Sequence, residues 1–126
     1  MLSIMSMSPM GAPQKVLIVD DDDLLSEVLV RSLEAHGYDV SHAPGGIISP
    51  ECSDGVQLVI LDAHIPGSDF ASTLRMLRDR SVGVLVLSGE LSPPVGVSAD
   101  DYLGKPVGLP HLLAAVARLA SPTPER

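Results

Sequence analysis

Three stretches of this chain are apolar with almost no polar interruption, and each leads into an oxygen-bearing side chain. Lys15–Val19 runs into Asp20, Asp21, Asp22 and Asp23. Residues 57–62, Gln-Leu-Val-Ile-Leu-Asp, end on Asp62 and break shortly afterwards at Pro66-Gly67. Residues 82–87, Val-Gly-Val-Leu-Val-Leu, lead into Ser88. An unbroken apolar run reads as a strand buried on both faces, as in a parallel sheet covered by helices. Two weaker strands complete the set. Residues 38–42 are more polar and suit a sheet edge, and residues 101–104 form a short last strand before Lys105-Pro106.

The segments between these runs carry helical spacing. Leu25, Val28, Leu29 and Leu33 share one stripe, with Asp22 or Asp23 as cap and Gly37 as terminator. Phe70, Leu74 and Leu77 make a second stripe behind a cap at Ser68 or Asp69, with Arg75, Arg78 and Arg80 on or near a solvated side. Leu109, Leu112, Leu113, Val116 and Leu119 make a third, and Pro110 fits its first turn. Two further helices are due by the alternating rhythm, but their segments resist. Residues 43–50 hold two prolines and two glycines, enough to limit that helix to one or two turns. Residues 89–97 are short and proline-rich. Asp54-Gly55 marks a turn. The count is five strands alternating with three good helices and two poor ones, which implies a parallel α/β sheet with right-handed crossovers.

Composition narrows the possibilities. A chain of 126 residues suits one domain, and 45% hydrophobic residues with 2% aromatics predict a core of Leu, Val, Ile and Ala. The net charge of −8 argues against this segment gripping a nucleic-acid backbone, while a local knot of acids suits a hard divalent cation. Cys52 is the only cysteine, which excludes a disulfide framework and reads as a reduced cytosolic thiol. No apolar run reaches membrane-spanning length. Residues 1–13 read as a disordered tail or an overlong start, residues 14–120 as the domain, and residues 121–126 as a tail or the start of a linker. His36, His42 and His111 read as surface residues.

In open α/β sheets the ligand site lies beyond the carboxyl ends of the strands. Four strands bring Asp20 and Asp21, Asp62, Ser88, and Lys105 to that edge. Acids at a helix start oppose the macrodipole, which accounts for Asp22 and Asp23 but not for four in a row. Three carboxylates in one place call for a cation, and Mg²⁺ takes oxygen ligands while keeping several waters. Asp62 can serve as a nucleophile toward a phosphoryl group. Mg²⁺ and Lys105 would neutralise the transferring oxygens, and Ser88 would donate a hydrogen bond to one of them.

Val19-Asp20-Asp21-Asp22, Leu61-Asp62 with Pro66 four residues on, Leu87-Ser88-Gly89, and Asp100-Asp101-Tyr102-Leu103-Gly104-Lys105-Pro106 together resemble the receiver domain of bacterial two-component response regulators. The resemblance covers Lys15 to about Ala120. It implies a flavodoxin-like (βα)5 doubly wound sheet of strand order 2-1-3-4-5. It implies that Asp62 accepts phosphate from a histidine kinase or phosphotransfer protein. Asp21, Asp62 and the His64 backbone carbonyl would bind Mg²⁺, with Asp20 acting mostly through water. Lys105 would pair with Asp62 or its phosphate, Ser88 would move toward the phosphoryl group, and Tyr102 would turn inward as a switch. His64 and Glu90 would tune phosphoryl lifetime through water access. A cytoplasmic switch acting on an unknown downstream effector follows from the same likeness. Two departures stand out: Phe70 replaces a glycine usual after the acid at Asp69, and the segment between Ser88 and Lys105 is short where the fourth helix normally sits. Dimerisation through the usual fourth and fifth elements is therefore not assumed.

Other readings compete. A receiver-like module whose output surface works without phosphorylation fits the eroded second and fourth helices. A turnover phosphatase with an aspartate nucleophile would want an acid two residues after Asp62, where His64 stands. A flavodoxin-like cofactor binder would want a Ser/Thr/Gly-rich phosphate loop after the first strand, where the acids stand.

Overall fold

A computed structural model describes residues 14–43, 48–67, 69–89 and 99–120. The elements in chain order are β1 (Lys15–Val19), α1 (Asp23–Ala35), β2 (Asp39–Ala43), a single 3₁₀ turn (Pro50–Ser53), β3 (Leu58–Asp62), α2 (Phe70–Asp79), β4 (Gly83–Ser88), β5 (Asp101–Gly104) and α3 (Leu109–Ala120). All strand pairings are parallel, in the order β2-β1-β3-β4-β5. This is the flavodoxin-like arrangement expected from the sequence. The unbroken runs occupy the interior of the sheet, and the two short polar strands take its edges. Every residue of β3 is buried, because the strand lies between β1 and β4 and is covered on both faces.

The strand alternation sorts the core into two layers. On one side Val16, Ile18, Leu58, Ile60, Leu85 and Leu87 meet Leu29 and Leu33 of α1 and Leu112 and Val116 of α3. On the other side Leu17, Val19, Val59, Leu61, Val84 and Val86 meet Leu74 and Leu77 of α2. Residues 44–47, half of the segment expected to limit the second helix, lie outside the described residues, and a 3₁₀ turn follows at Pro50–Ser53. The segment expected to hold the fourth helix lies largely outside the described residues.

The caps follow local chemistry. Asp22 accepts the Leu25 N–H at 3.1 Å and opens α1. Gly37, at φ +93°, closes it in a conformation that L side chains rarely adopt. Asp69 accepts the Ser72 N–H at 3.3 Å and opens α2.

Three expectations need correction. Val28 is not part of the buried stripe of α1. It is 55% exposed, and Ser26 is buried in the line with Leu29 and Leu33 instead. The stripe is rotated by part of a turn, so a small polar residue sits under the helix and a valine faces water. The arginines in and just after α2 are exposed as expected, but Arg78 and Arg80 are paired and not free in solvent. Arg78 pairs with Asp100 at 2.7 Å, and Arg80 reaches Ser53 Oγ at 2.8 Å and the Asp54 carboxylate. Their long stems let guanidinium groups on the helix surface reach acids on neighbouring segments. Finally, His42 is half-buried beside the β1–α1 turn and is not a plain surface residue; its contacts are given with the site below.

Candidate functional site

Asp20 is the first residue past β1, and the chain must turn there to enter α1. Its own side chain makes the turn, with Oδ1 accepting the Asp22 N–H at 2.9 Å. That bond draws the carboxylate inward, and Asp20 is only 1% exposed. Asp21 is exposed beside it. Asp62 ends β3, is 5% exposed, and its Oδ1 accepts the His64 N–H at 3.1 Å. One carboxylate oxygen from each of Asp20, Asp21 and Asp62 lies within 4.8 Å of the other two.

One ammonium group faces these acids. Lys105 follows β5 through its backbone N–H, which donates to the Ser88 carbonyl at 2.8 Å. The Lys105–Pro106 peptide is cis. Lys105 Nζ donates to Asp20 Oδ2 at 3.1 Å and lies 3.4 Å from Asp62 Oδ2. The sequence expectation paired Lys105 with Asp62. Both acids share the ammonium, and Asp20 holds it more closely.

The charges are therefore unbalanced, three carboxylates against one ammonium. Burial pushes the Asp62 carboxyl above its ordinary value, and the nearby Asp20 charge adds to this. The His64 N–H and Lys105 offset part of the effect. Lys105 moves the other way. Burial works against its charge, but the bond to Asp20 and the charges of Asp20 and Asp62 outweigh it and raise its pKa. A cluster of hard oxygen donors with surplus negative charge fits a Mg²⁺-sized divalent cation.

The remaining expected site residues lie nearby in different relations. Ser88 ends β4, buried, in register with Gly104. Tyr102 is half-buried in β5 opposite Val86 and packs on the α2 side of the sheet. Ser88 alternates with Val84 and Val86, so it belongs to that same side. The His64 side chain is exposed. Glu90 lies outside the described residues. His36 and His111 are exposed, as expected.

His42 is the residue that sequence reasoning missed. Its Nε2 lies 3.3 Å from the Asp20 backbone carbonyl and 3.9 Å from an Asp23 carboxylate oxygen. The available signal was alternation. His42 falls two residues after the buried Val40, and its register partner is Ile18, just before the β1 terminus.

A five-stranded parallel sheet with acids after β1 and at the end of β3, and a lysine after β5, defines a class of α/β proteins with an acidic pocket at the carboxyl rim. Comparison with known proteins places the chain within it. Residues 16–117 match the family model of the response regulator receiver domain, and the chain belongs to that family. Among curated proteins it is 35% identical to the transcriptional regulatory protein AruR of Pseudomonas aeruginosa, over 87% of this chain and 50% of that protein. It is 37% identical to the response regulator MprA of Mycolicibacterium vanbaalenii, over 90% of this chain and 53% of that protein. The chain thus spans about half the length of these curated relatives. Among solved structures, the Francisella response regulator 1452 receiver domain superposes with a TM-score of 0.74 at 27% identity, covering 85% of this chain and 96% of that one. TrrA of Thermotoga maritima, solved in complex with Mg(2+)-BeF, superposes with a TM-score of 0.70 at 25% identity, covering 84% and 98%. Among the described residues, no helix is long and apolar enough to cross a membrane.

Proposed function

We propose that this chain is a phospho-accepting receiver. It takes a phosphoryl group onto Asp62 from the phosphohistidine of a histidine kinase or phosphotransfer protein, and the change switches binding to a downstream effector. The observation that carries this reading is the meeting of Asp20, Asp21 and Asp62 with Lys105 at one rim of the sheet. A bound Mg²⁺ would supply positive charge to the phosphoryl oxygens. Asp20, Asp21, Asp62 and the His64 carbonyl are the groups to hold it, and the Mg(2+)-BeF complex of the similar TrrA supports that choice.

The residues divide the work. An Asp62 carboxylate oxygen attacks phosphorus as the P–N bond to the donor imidazole breaks, and the imidazole nitrogen keeps the electron pair and takes up a proton. Lys105, already against Asp62, neutralises charge on the oxygens in transfer. Ser88 donates a hydrogen bond to one of them, and Tyr102, on the same side of the sheet, follows its movement. His64 and Glu90 set how readily water reaches the acyl phosphate. This chemistry belongs in the cytoplasm, where such phosphohistidine donors present their groups.

The test is intact-mass measurement after incubation with Mg²⁺ and a small acyl phosphate. The native chain should gain one phosphoryl group, and Asp62→Asn should lose at least about a hundredfold of that uptake rate. Uptake that persists in Asp62→Asn would overturn the assignment. No uptake by the native chain, with partner binding intact, would favour a phosphorylation-independent interaction module.

A further inference from the structure

The β1–α1 turn, Asp20 to Asp23, carries two of the three clustered acids, so what holds that turn sets the pocket's shape. The last register pairs of β1 are Val19 with Ala43 on one side and Val19 with Leu61 on the other. The Asp20 carbonyl therefore lies one residue beyond the described ladder on each side. Among the described residues, the donor it meets there is a side chain. The His42 ring stands 3.3 Å away through Nε2, and since a carbonyl only accepts, Nε2 carries the hydrogen. The same nitrogen lies 3.9 Å from Asp23 Oδ1, too far for a hydrogen bond but close enough for attraction between the N–H dipole and the carboxylate. His42 thus touches both ends of the turn, while Asp22 N–H and Lys105 hold the Asp20 side chain.

We infer that His42 is a positioning residue for the cation pocket, acting through the Asp20 backbone to fix where Asp20 and Asp21 present their oxygens. The inference rests on reading Asp20, Asp21 and Asp62 as the Mg²⁺ site. Outer partners orient the groups that bind a metal, and loss of such a partner lowers metal affinity. His42 reaches no reacting atom. Its contribution appears in cation affinity, and through affinity in the Mg²⁺ concentration at which phosphoryl uptake is half-maximal.

The experiment is a calorimetric Mg²⁺ titration of the full chain, with thermal midpoints measured without the metal. His42→Leu removes the donor and should weaken Mg²⁺ binding about threefold to tenfold, the range of one net hydrogen bond. His42→Gln places an amide N–H near the position of Nε2 and should stay within about twofold of native. Should His42→Leu fail to fold, His42→Thr, which suits a strand and is too short to reach Asp20, takes its place. Equal Mg²⁺ affinity in His42→Leu and native would overturn the inference. So would a His42→Gln variant as weak as His42→Leu. If the native chain itself bound no Mg²⁺, the reading of the acids as a metal site would fall, and this inference with it.

Discussion

The two ends of the sheet treat charge in opposite ways. At the amino end of the strands, three arginines each have their own acid. Arg78 meets Asp100, Arg80 meets Asp54, and Arg118 meets Asp101 at 2.5 Å. These arginines lie at or near the carboxyl ends of α2 and α3, where the helix dipole also favours positive charge. Asp100 does more, since its Oδ2 also accepts the Val84 N–H at 2.8 Å. At the carboxyl end, three acids cluster around one lysine that pairs with only two of them, Asp20 and Asp62. One end is closed electrostatically and holds the strands in place. The other is left short of positive charge, which suits the cation that the proposed phosphoryl transfer would need.

Replacing the shared lysine should separate the two roles of the open end most strongly. Lys105→Met is expected to slow phosphoryl uptake at least about a hundredfold, because a charge on the transferring oxygens goes unanswered. The same variant should bind Mg²⁺ several-fold more tightly by calorimetry, since the ammonium on Asp20 no longer competes for that carboxylate. Weaker Mg²⁺ binding would show that the lysine organises the acids and does not compete for them.

At the closed end the pattern should reverse. Asp100→Ala strands both Arg78 and the Val84 N–H, and is expected to cost about 1–2 kcal/mol in a denaturant titration. Its Mg²⁺ affinity should stay native. A shift in that affinity would mean that the two ends are not independent.

The smallest effects lie in the pH dependence of stability, and they carry opposite signs at the two ends. Asp62 has a raised pKa, from burial first, so the unfolded chain loses this proton at a lower pH than the native one. Its ionisation therefore costs native stability as pH rises from the ordinary value toward the raised one. Without Mg²⁺ at neutral pH, Asp62→Asn should raise the thermal midpoint, and the gain should fade as the buffer is acidified through the raised pKa. Asp101 has a lowered pKa, mainly from the Arg118 hydrogen bond and then the Tyr102 N–H. Its contribution is present above the ordinary carboxylate value and is lost as pH falls through the lowered one. Asp101→Asn should lower the midpoint at neutral pH, and that difference should close in acid. Midpoints of both variants measured across an acid series check the signs.

Much of this contrast was legible in the sequence, and the reason is physical. Runs such as residues 58–61 state their own burial, and a carboxylate after such a run must emerge at the strand's end. Strand limits came within a residue. What failed was finer. The apolar stripe of α1 was misplaced because Ser26 and Val28 flank Leu29 on opposite edges of the stripe, and composition favoured the valine. His42 was read as surface because it looks polar in a polar strand, although its alternation with Val40 put it on the covered face. The acids of Arg78 and Arg80 lie 22 and 26 residues away in the chain, separations on which local spacing is silent.

One consequence follows from the way β5 is held. Arg78 reaches Asp100 from one face of the sheet and Arg118 reaches Asp101 from the other, while Lys105 N–H docks on the Ser88 carbonyl. The chain leaves the sheet after Ser88 and returns at Asp100, and both points are fixed by contacts outside the excursion between them. Insertions or deletions between those two points should carry only a modest entropic cost, with the lysine still delivered to its acids. Variation in that stretch should therefore reach Glu90 and its neighbours first, while the acids and Lys105 keep their places.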